Sequence, residues 1–320
     1  MPQHSTLARM LQVSTLFQLS LALAWLAWRW PHSIAQAAFG AALVLSVAPV
    51  ILAIELLIVS RINRSQPGVP APRPAQLLHA WGSESVHFFR TFCWRQPFRW
   101  RAEPDFLEGC RGRTGVLLVH GFMCNRGFWN AWMRVLRARG IPHVAVNLEP
   151  VYGSIDAYGP IVDAGVRRLH EATGCAPVLV GHSMGGLAAR AWWRASGNAA
   201  SVAALVTIGS PHAGTWLARW SSRTNGRQMR LQSEWLRAIA AHEEARPLPP
   251  ATCWFSNCDN VVFPAPTATL GGAQNRFVAG QAHVALAFHP EVLAETLALV
   301  ARIDGARQGE SVTGTAAENV

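Results

Sequence analysis

The run Pro177-Val178-Leu179-Val180-Gly181-His182-Ser183-Met184-Gly185-Gly186 constrains this chain more than any other. Its first four residues are a short apolar, strand-like stretch, and Leu187-Ala188-Ala189-Arg190-Ala191-Trp192-Trp193 reads as a helix. Between them stands G-x-S-x-G, the spacing at which a strand turns sharply into a helix with a serine at the tip. Crowding requires the glycines, because side chains two residues either side of the serine would collide. The helix start aims backbone N–H groups and a positive dipole end at the place where an oxyanion would form beside the serine. The bland alternative, a glycine-rich βα loop with an incidental serine, does not explain the flanking pattern.

A serine is a poor nucleophile without a base, and the base needs an acid to orient it. After such an elbow the order is acid, then histidine. Asp259 is the only aspartate between Ser183 and the C-terminal histidines. It follows the strand-like run from Cys253, and catalytic groups in open α/β sheets gather at strand ends. Glu234, Glu243 and Glu244 lie in an arginine-containing helical stretch and read as solvated charges. Beyond Asp259, His283 falls in the loop after the strand-like Arg276-Phe277-Val278-Ala279-Gly280. His289 precedes Pro290, which suits a first helical turn. The base is therefore assigned to His283, with His289 the alternative. The apolar Val116-Leu117-Leu118-Val119 leads into His120-Gly121-Phe122. That placement gives the oxyanion donors as the N–H groups of Phe122 and Met184. His120, His182 and His212 read as framework histidines.

Together these pieces resemble the α/β-hydrolase superfamily and, within it, the bacterial lipase and esterase branch. The resemblance runs from about Gly115 to Ile303. It is carried by Leu118-Val119-His120-Gly121-Phe122, by the elbow, by Thr207-Ile208-Gly209-Ser210-Pro211-His212-Ala213-Gly214-Thr215, by Asp259 with Val261-Val262, and by His283. It implies an α/β-hydrolase fold with a mostly parallel sheet and a Ser183–Asp259–His283 triad. The implied activity is hydrolysis of carboxylic esters, lipid acyl esters foremost, through an acyl-enzyme. No cofactor or metal is implied, and the calcium site of some secreted lipases is not carried over. Two alternatives stay open: a silent fold used as a scaffold, and the same machinery acting on thioesters or amides or in acyl transfer.

The N-terminus determines where this chemistry happens. Residues 11–28 carry no formal charge, although Gln12 and Gln18 interrupt them, and residues 34–54 are cleaner, with no charge before Glu55. A spanning helix needs about 20 mostly apolar residues. Only Arg29-Trp30-Pro31-His32-Ser33 separates the two runs, so residues 1–65 are expected to form a two-helix transmembrane hairpin. A cleaved signal peptide would leave one apolar run rather than two. Buried helices of a soluble domain are the other reading. Arg9, Arg61, Arg64 and Arg73 lie outside the runs, against Arg29 in the turn. The positive-inside tendency then places both ends and the catalytic domain in the cytoplasm, at a bacterial inner membrane.

The net charge of +10 comes from 28 basic residues, all arginine. They are scattered and accompany no nucleic-acid-binding motif, so an anionic membrane surface is the expected partner rather than nucleic acid. Phe88–Arg101 interleaves aromatics with arginines and reads as a leading strand pair of the sheet, with contact to the membrane interface as a compatible second role. Six cysteines are dispersed without metal-ligand spacing, and the strand-like run between Cys253 and Cys258 resists a bridge. This usage fits a reduced compartment. A Pro-rich linker over 66–79 leads into one domain over 80–304, and the small, polar tail 305–320 is expected to be disordered. Strands are expected at 115–119, 142–147, 177–181, 202–208, 252–257 and 275–280, with helices at 127–139, 156–173 and 290–303. Residues 212–248, rich in Trp and Leu, are expected to form either a lid and acyl pocket or ordinary packing helices. No oligomeric state is read from the sequence.

Overall fold

The structure is a computed structural model describing residues 5–196 and 201–317, with side chains as far as Arg307. The N-terminal region is helical: α1 (Thr6–Arg29), α2 (Ile34–Leu45), α3 (Val47–Asn63) and α4 (Pro74–Phe88), then a π-helical stretch Phe89–Arg95 and the short α5 (Gln96–Phe98). Alternating elements follow: β1 (Val116–Val119), α6 (Asn130–Ala138), β2 (His143–Ala145), α7 (Gly159–Thr173), β3 (Val178–His182), α8 (Met184–Ser196) and β4 (Ala204–Ile208). The chain continues through α9 (Thr224–Gln228), α10 (Glu234–Ala245), β5 (Ala251–Phe255), β6 (Gln274–Phe277), α11 (His283–Ala287) and α12 (Pro290–Ala317).

The strands make one parallel sheet in the order β2-β1-β3-β4-β5-β6. Strands buried on both faces read as continuous apolar runs, as Val116-Leu117-Leu118-Val119 does. Successive residues serve opposite faces. Leu117, Val119, Leu179 and Leu205 pack with α7, α8 and α10. Val116, Leu118, Val178, Val180 and Val206 pack with Trp132, Met133 and Leu136 of α6 and with Val292, Leu297 and Val300 of α12. From β1 the chain moves outward to β2, then returns across β1 to β3. Strand order therefore reverses between β1 and β3, the loops after them part, and a crevice opens at their carboxyl ends.

Four expectations change. The leading strands over 86–101 are helical. Aromatic residues favour strands locally, but Phe88 and Phe92, and Trp94 and Phe98, stand four residues apart, and their rings meet at 5.2 and 5.9 Å along a helix face. Ahead of β1, Phe106 reaches the sheet edge through an isolated antiparallel bridge to His143. The apolar run 34–54 is broken at Ser46, and its two helices bend by 53°. Pro49 has no N–H for the Leu45 carbonyl, which removes one bond of the helical ladder. Helix α4 begins at Pro74, inside the expected linker. Helix α12 runs to Ala317 rather than stopping near 303; the last three residues of the expected tail lie outside the described residues.

Among the described residues, two helices are long and apolar enough to cross a membrane, Thr6–Arg29 and the continuous stretch His283–Arg307, or three if the bent pair counts as one span. They differ in environment: 6% of the apolar window is buried in the first and 44% in the second. The second holds up one face of the sheet, so it belongs to the domain core.

Candidate active site

Ser183 sits between β3 and α8 at φ +55°, in the left-handed region that non-glycine residues avoid. Such a conformation costs about 1–3 kcal/mol and persists where its surroundings impose it. A Cβ on Gly181 would lie 2.6 Å from Gly186 N, and one on Gly121 would lie 2.8 Å from Ser183 Cβ. A Cβ on Gly185 would run into the Val119 carbonyl. The elbow can close only because these positions are bare. The Ser183 N–H is held by Ile208 O at 2.9 Å.

Asp259 and His283 meet as the sequence spacing predicts. Imidazole Nδ1 lies 2.9 Å from Oδ2 and 3.0 Å from Oδ1. The carboxylate can only accept, so Nδ1 carries the proton and Nε2 remains free as a base. Asp259 Oδ1 also accepts from Val261 N at 2.9 Å and Val262 N at 2.7 Å, which fixes its rotamer. Both groups are buried. Burial works against the imidazolium, but the Asp259 charge and hydrogen bond, with Glu84 and Glu55 behind them, raise the His283 pKa above 6.5.

Ser183 and His283 line one cavity of about 310 Å³, together with Phe122. No hydrogen bond joins Ser183 Oγ to His283 in the free protein, and such bonds tighten when substrate binds. Met184 opens α8 with its side chain in the core. Met123, beside Phe122, also has positive φ, +54°.

The remaining histidines divide as expected. His120 Nε2 accepts from Leu148 N at 3.0 Å and Nδ1 faces Gly121 O at 2.9 Å, so the ring props the loop; burial lowers its pKa to about 4. His182 packs between Phe128 and His283, with both ring centroids at 4.5 Å, and burial holds it neutral. His212 is buried against Thr207 and Arg190. His289 accepts from Leu293 N at the start of α12 and stays out of the cavity. Glu243 is not a solvated charge: it forms a two-pronged ion pair with the buried Arg190, both contacts at 2.7 Å. All six cysteines are free.

Residues 212–248 contribute no lining to the cavity at Ser183. Met229, Leu236 and Ile239 are buried in the core instead, so this region packs on the sheet.

Three residues at the site escaped the sequence reading. Glu84 of α4 is buried, and its carboxylate accepts from Val284 N at 2.9 Å and Ala285 N at 2.9 Å, the first turn of the helix that begins with His283. Burial pushes its pKa up to about 7 against those hydrogen bonds. Glu55 of α3 accepts from Asn260 Nδ2 at 2.7 Å, and Asn260 Oδ1 accepts from His283 N at 3.1 Å. Gly209, at φ +55°, has no room for a Cβ, which would lie 2.9 Å from Asp259 Oδ2 and 3.2 Å from His283 Nδ1. Glu55, the first charge in the apolar run that begins at 34, carried a signal for its position though not for its role; Glu84, between Ser83 and Ser85, carried none.

No curated protein matches the chain. Among solved structures, the mature form of Bacillus licheniformis lipase BlEst2 superposes with a TM-score of 0.53 at 15% identity, covering 62% of this chain and 94% of that one. Aspergillus fumigatus lipase B gives 0.52 at 18% identity, over 60% of this chain and 53% of that one. At these identities the likeness is one of fold. The alpha/beta hydrolase family model matches residues 116–307, which hold the sheet, the elbow, Asp259 and His283. With more than half of its length in that match, the chain belongs to the alpha/beta hydrolase family.

Proposed function

We propose that this protein is a membrane-anchored serine hydrolase that cleaves carboxylic esters, lipid acyl esters foremost. The observation that carries the reading is the convergence of a strained Ser183 and a hydrogen-bonded Asp259–His283 pair on one apolar cavity. Ser183 Oγ attacks the ester carbonyl as His283 Nε2 takes its proton. Asp259 keeps the imidazole in the Nδ1–H tautomer and stabilises the imidazolium. The N–H groups of Phe122 and Met184 hold the tetrahedral oxyanion, and losing one such donor costs about 3 kcal/mol in the transition state. The alcohol leaves with the proton from His283. Water, activated by the same imidazole, then releases the acid and restores Ser183. Helix α1 and the α2–α3 pair serve as the anchor, and the arginine distribution puts the catalytic domain on the cytoplasmic side.

Fluorophosphonate labelling of membranes tests this reading. Wild type is expected to label and Ser183→Ala is not. Absence of labelling in folded wild type, with and without mild detergent, would reject the hydrolase reading in favour of a silent scaffold.

A further inference from the structure

A second cavity, of about 390 Å³, runs along α1 and shares the walls Ala48, Ile51, Phe88 and Phe92 with the cavity at Ser183. These four residues border both cavities, and a path past them would join the two. Its inner end reaches Ser183 and His283. Its outer half is lined by Leu11, Phe17, Leu21, Val44 and Val47, with no charged residue. Its polar side chains are few, and Gln18 is already spent on Val44 O at 2.9 Å. Phe17 is 67% exposed, Val47 51% and Ile51 50%. The outer half therefore opens onto the apolar surface of the N-terminal helices. Its walls lie outside residues 116–307, so they are additions to the family's domain.

An occupant must be long, narrow and uncharged along most of its length, and must end in a group that reaches a serine. We infer that the groove between α1, α3 and the Phe88–Phe92 stretch holds the acyl chain of the ester at Ser183 and admits it sideways from the lipid phase. This rests on the ester-hydrolase reading above. A methylene buried from water gains free energy, whereas one transferred from lipid gains almost none. The groove thus orients a membrane lipid for attack without trapping the released chain. Glu55 and Glu84 stand at the inner end, where they disfavour the carboxylate of the product acid.

Cys93 lines the outer half and is only half-buried, while the other five cysteines are buried, so it reports occupancy independently of catalysis. The full chain in mild detergent is treated with N-ethylmaleimide, with 1-hexadecanol or 1-butanol as a neutral probe, and Cys93 modification is followed by peptide mass. Hexadecanol should slow modification by about tenfold and butanol should not. Ala48→Trp, at the junction, and Thr15→Trp, in the outer half, should weaken the protection. Fluorophosphonate labelling of Ser183 checks that each variant is folded. Equal Cys93 modification with and without hexadecanol in wild type overturns the groove. A second arm measures kcat/KM on p-nitrophenyl butyrate and palmitate. The palmitate-to-butyrate ratio should fall by about tenfold or more in either variant, and unchanged ratios in both overturn the assignment of the substrate chain to the groove. Protection of Cys93 in a wild type that cleaves neither ester would reject the hydrolase reading while leaving the groove in place.

Discussion

Both oxygens of Asp259 face His283 Nδ1, so in the proposed mechanism this carboxylate decides which imidazole nitrogen acts as the base. Asp259→Asn keeps the shape but supplies a donor that permits the wrong tautomer. The expected loss is about 10⁴-fold in kcat with the fold intact, read by esterase kinetics beside a thermal melt. As the proposed base, His283 works in its neutral form. Because its pKa is raised, activity should fall as pH drops through a value above 6.5. Glu84→Gln removes one of the charges that raise it, so the acidic limb of kcat/KM should move to lower pH. A purely structural role for Glu84 would lower the rate and leave the limb in place. Stability gives a second readout with the opposite requirement. The folded pKa of Glu84, about 7, lies above its ordinary 4.5. Its contribution is therefore complete below 4.5 and is lost as pH rises through about 7. Melts at about pH 5 and about pH 8 should show wild type losing stability relative to Glu84→Gln.

At the scale of elements, the N-terminal helices are bound into the catalytic domain rather than tethered to it. Asn63, fully buried at the end of α3, donates to Asn257 O at 2.9 Å and accepts from Ala265 N at 3.0 Å. Gln12 of α1 donates to Pro97 O at 2.7 Å. Asn63→Ala would strand a buried carbonyl and a buried N–H. The expected cost is about 2–3 kcal/mol, measured by denaturant titration; a loss below about 0.5 kcal/mol would mean that water replaces the amide. This docking also explains what the sequence could and could not reveal. Ser183 and Asp259 were legible because each follows an apolar strand whose period is local, and the order along the chain leaves one aspartate to choose; His283 was found from that order, since the strand before it is polar and exposed. Glu55 and Glu84 were not, because their roles arise only when helices read as anchor and linker fold back over the crevice. The same blindness left 212–248 open between a lid with an acyl pocket and ordinary packing helices, and the structure shows the packing helices. That stretch has the apolar composition of a lid, but composition does not say which face of the sheet a segment covers. The Phe88–Arg101 stretch failed in a different way: local strand preference outweighed a four-residue aromatic spacing that only the helix satisfies.

For the whole molecule, two forces could hold it at a membrane, and they predict different behaviour. The net charge of +10 attracts anionic lipid, at about 1 kcal/mol for each arginine near the surface. Salt shortens the Debye length from about 10 Å at 0.1 M to about 3 Å at 1 M, so attachment of that kind releases in high salt. Helix α1 offers the other force. Its 24 residues rise about 36 Å at 1.5 Å each, enough for a hydrocarbon core of about 30 Å. Along it Val13, Leu16, Phe17, Leu23 and Trp28 each expose more than half of their surface. Burial of that surface in lipid is indifferent to salt. Some arginines are also taken up in ion pairs within the domain, as Arg126, Arg168 and Arg190 are, which leaves fewer to face a lipid surface. Insertion should therefore dominate. The full chain should stay with sedimented membranes in about 1 M salt and dissolve only in detergent. Replacing Leu16 and Phe17 by arginine should weaken that retention, at about 2.5–3.5 kcal/mol for each charge at the helix centre. Release of the unaltered chain by salt alone would make α1 a helix that lies on the domain surface. The acyl groove would then open to water rather than to lipid, and each added methylene of substrate would again gain burial energy on entering it.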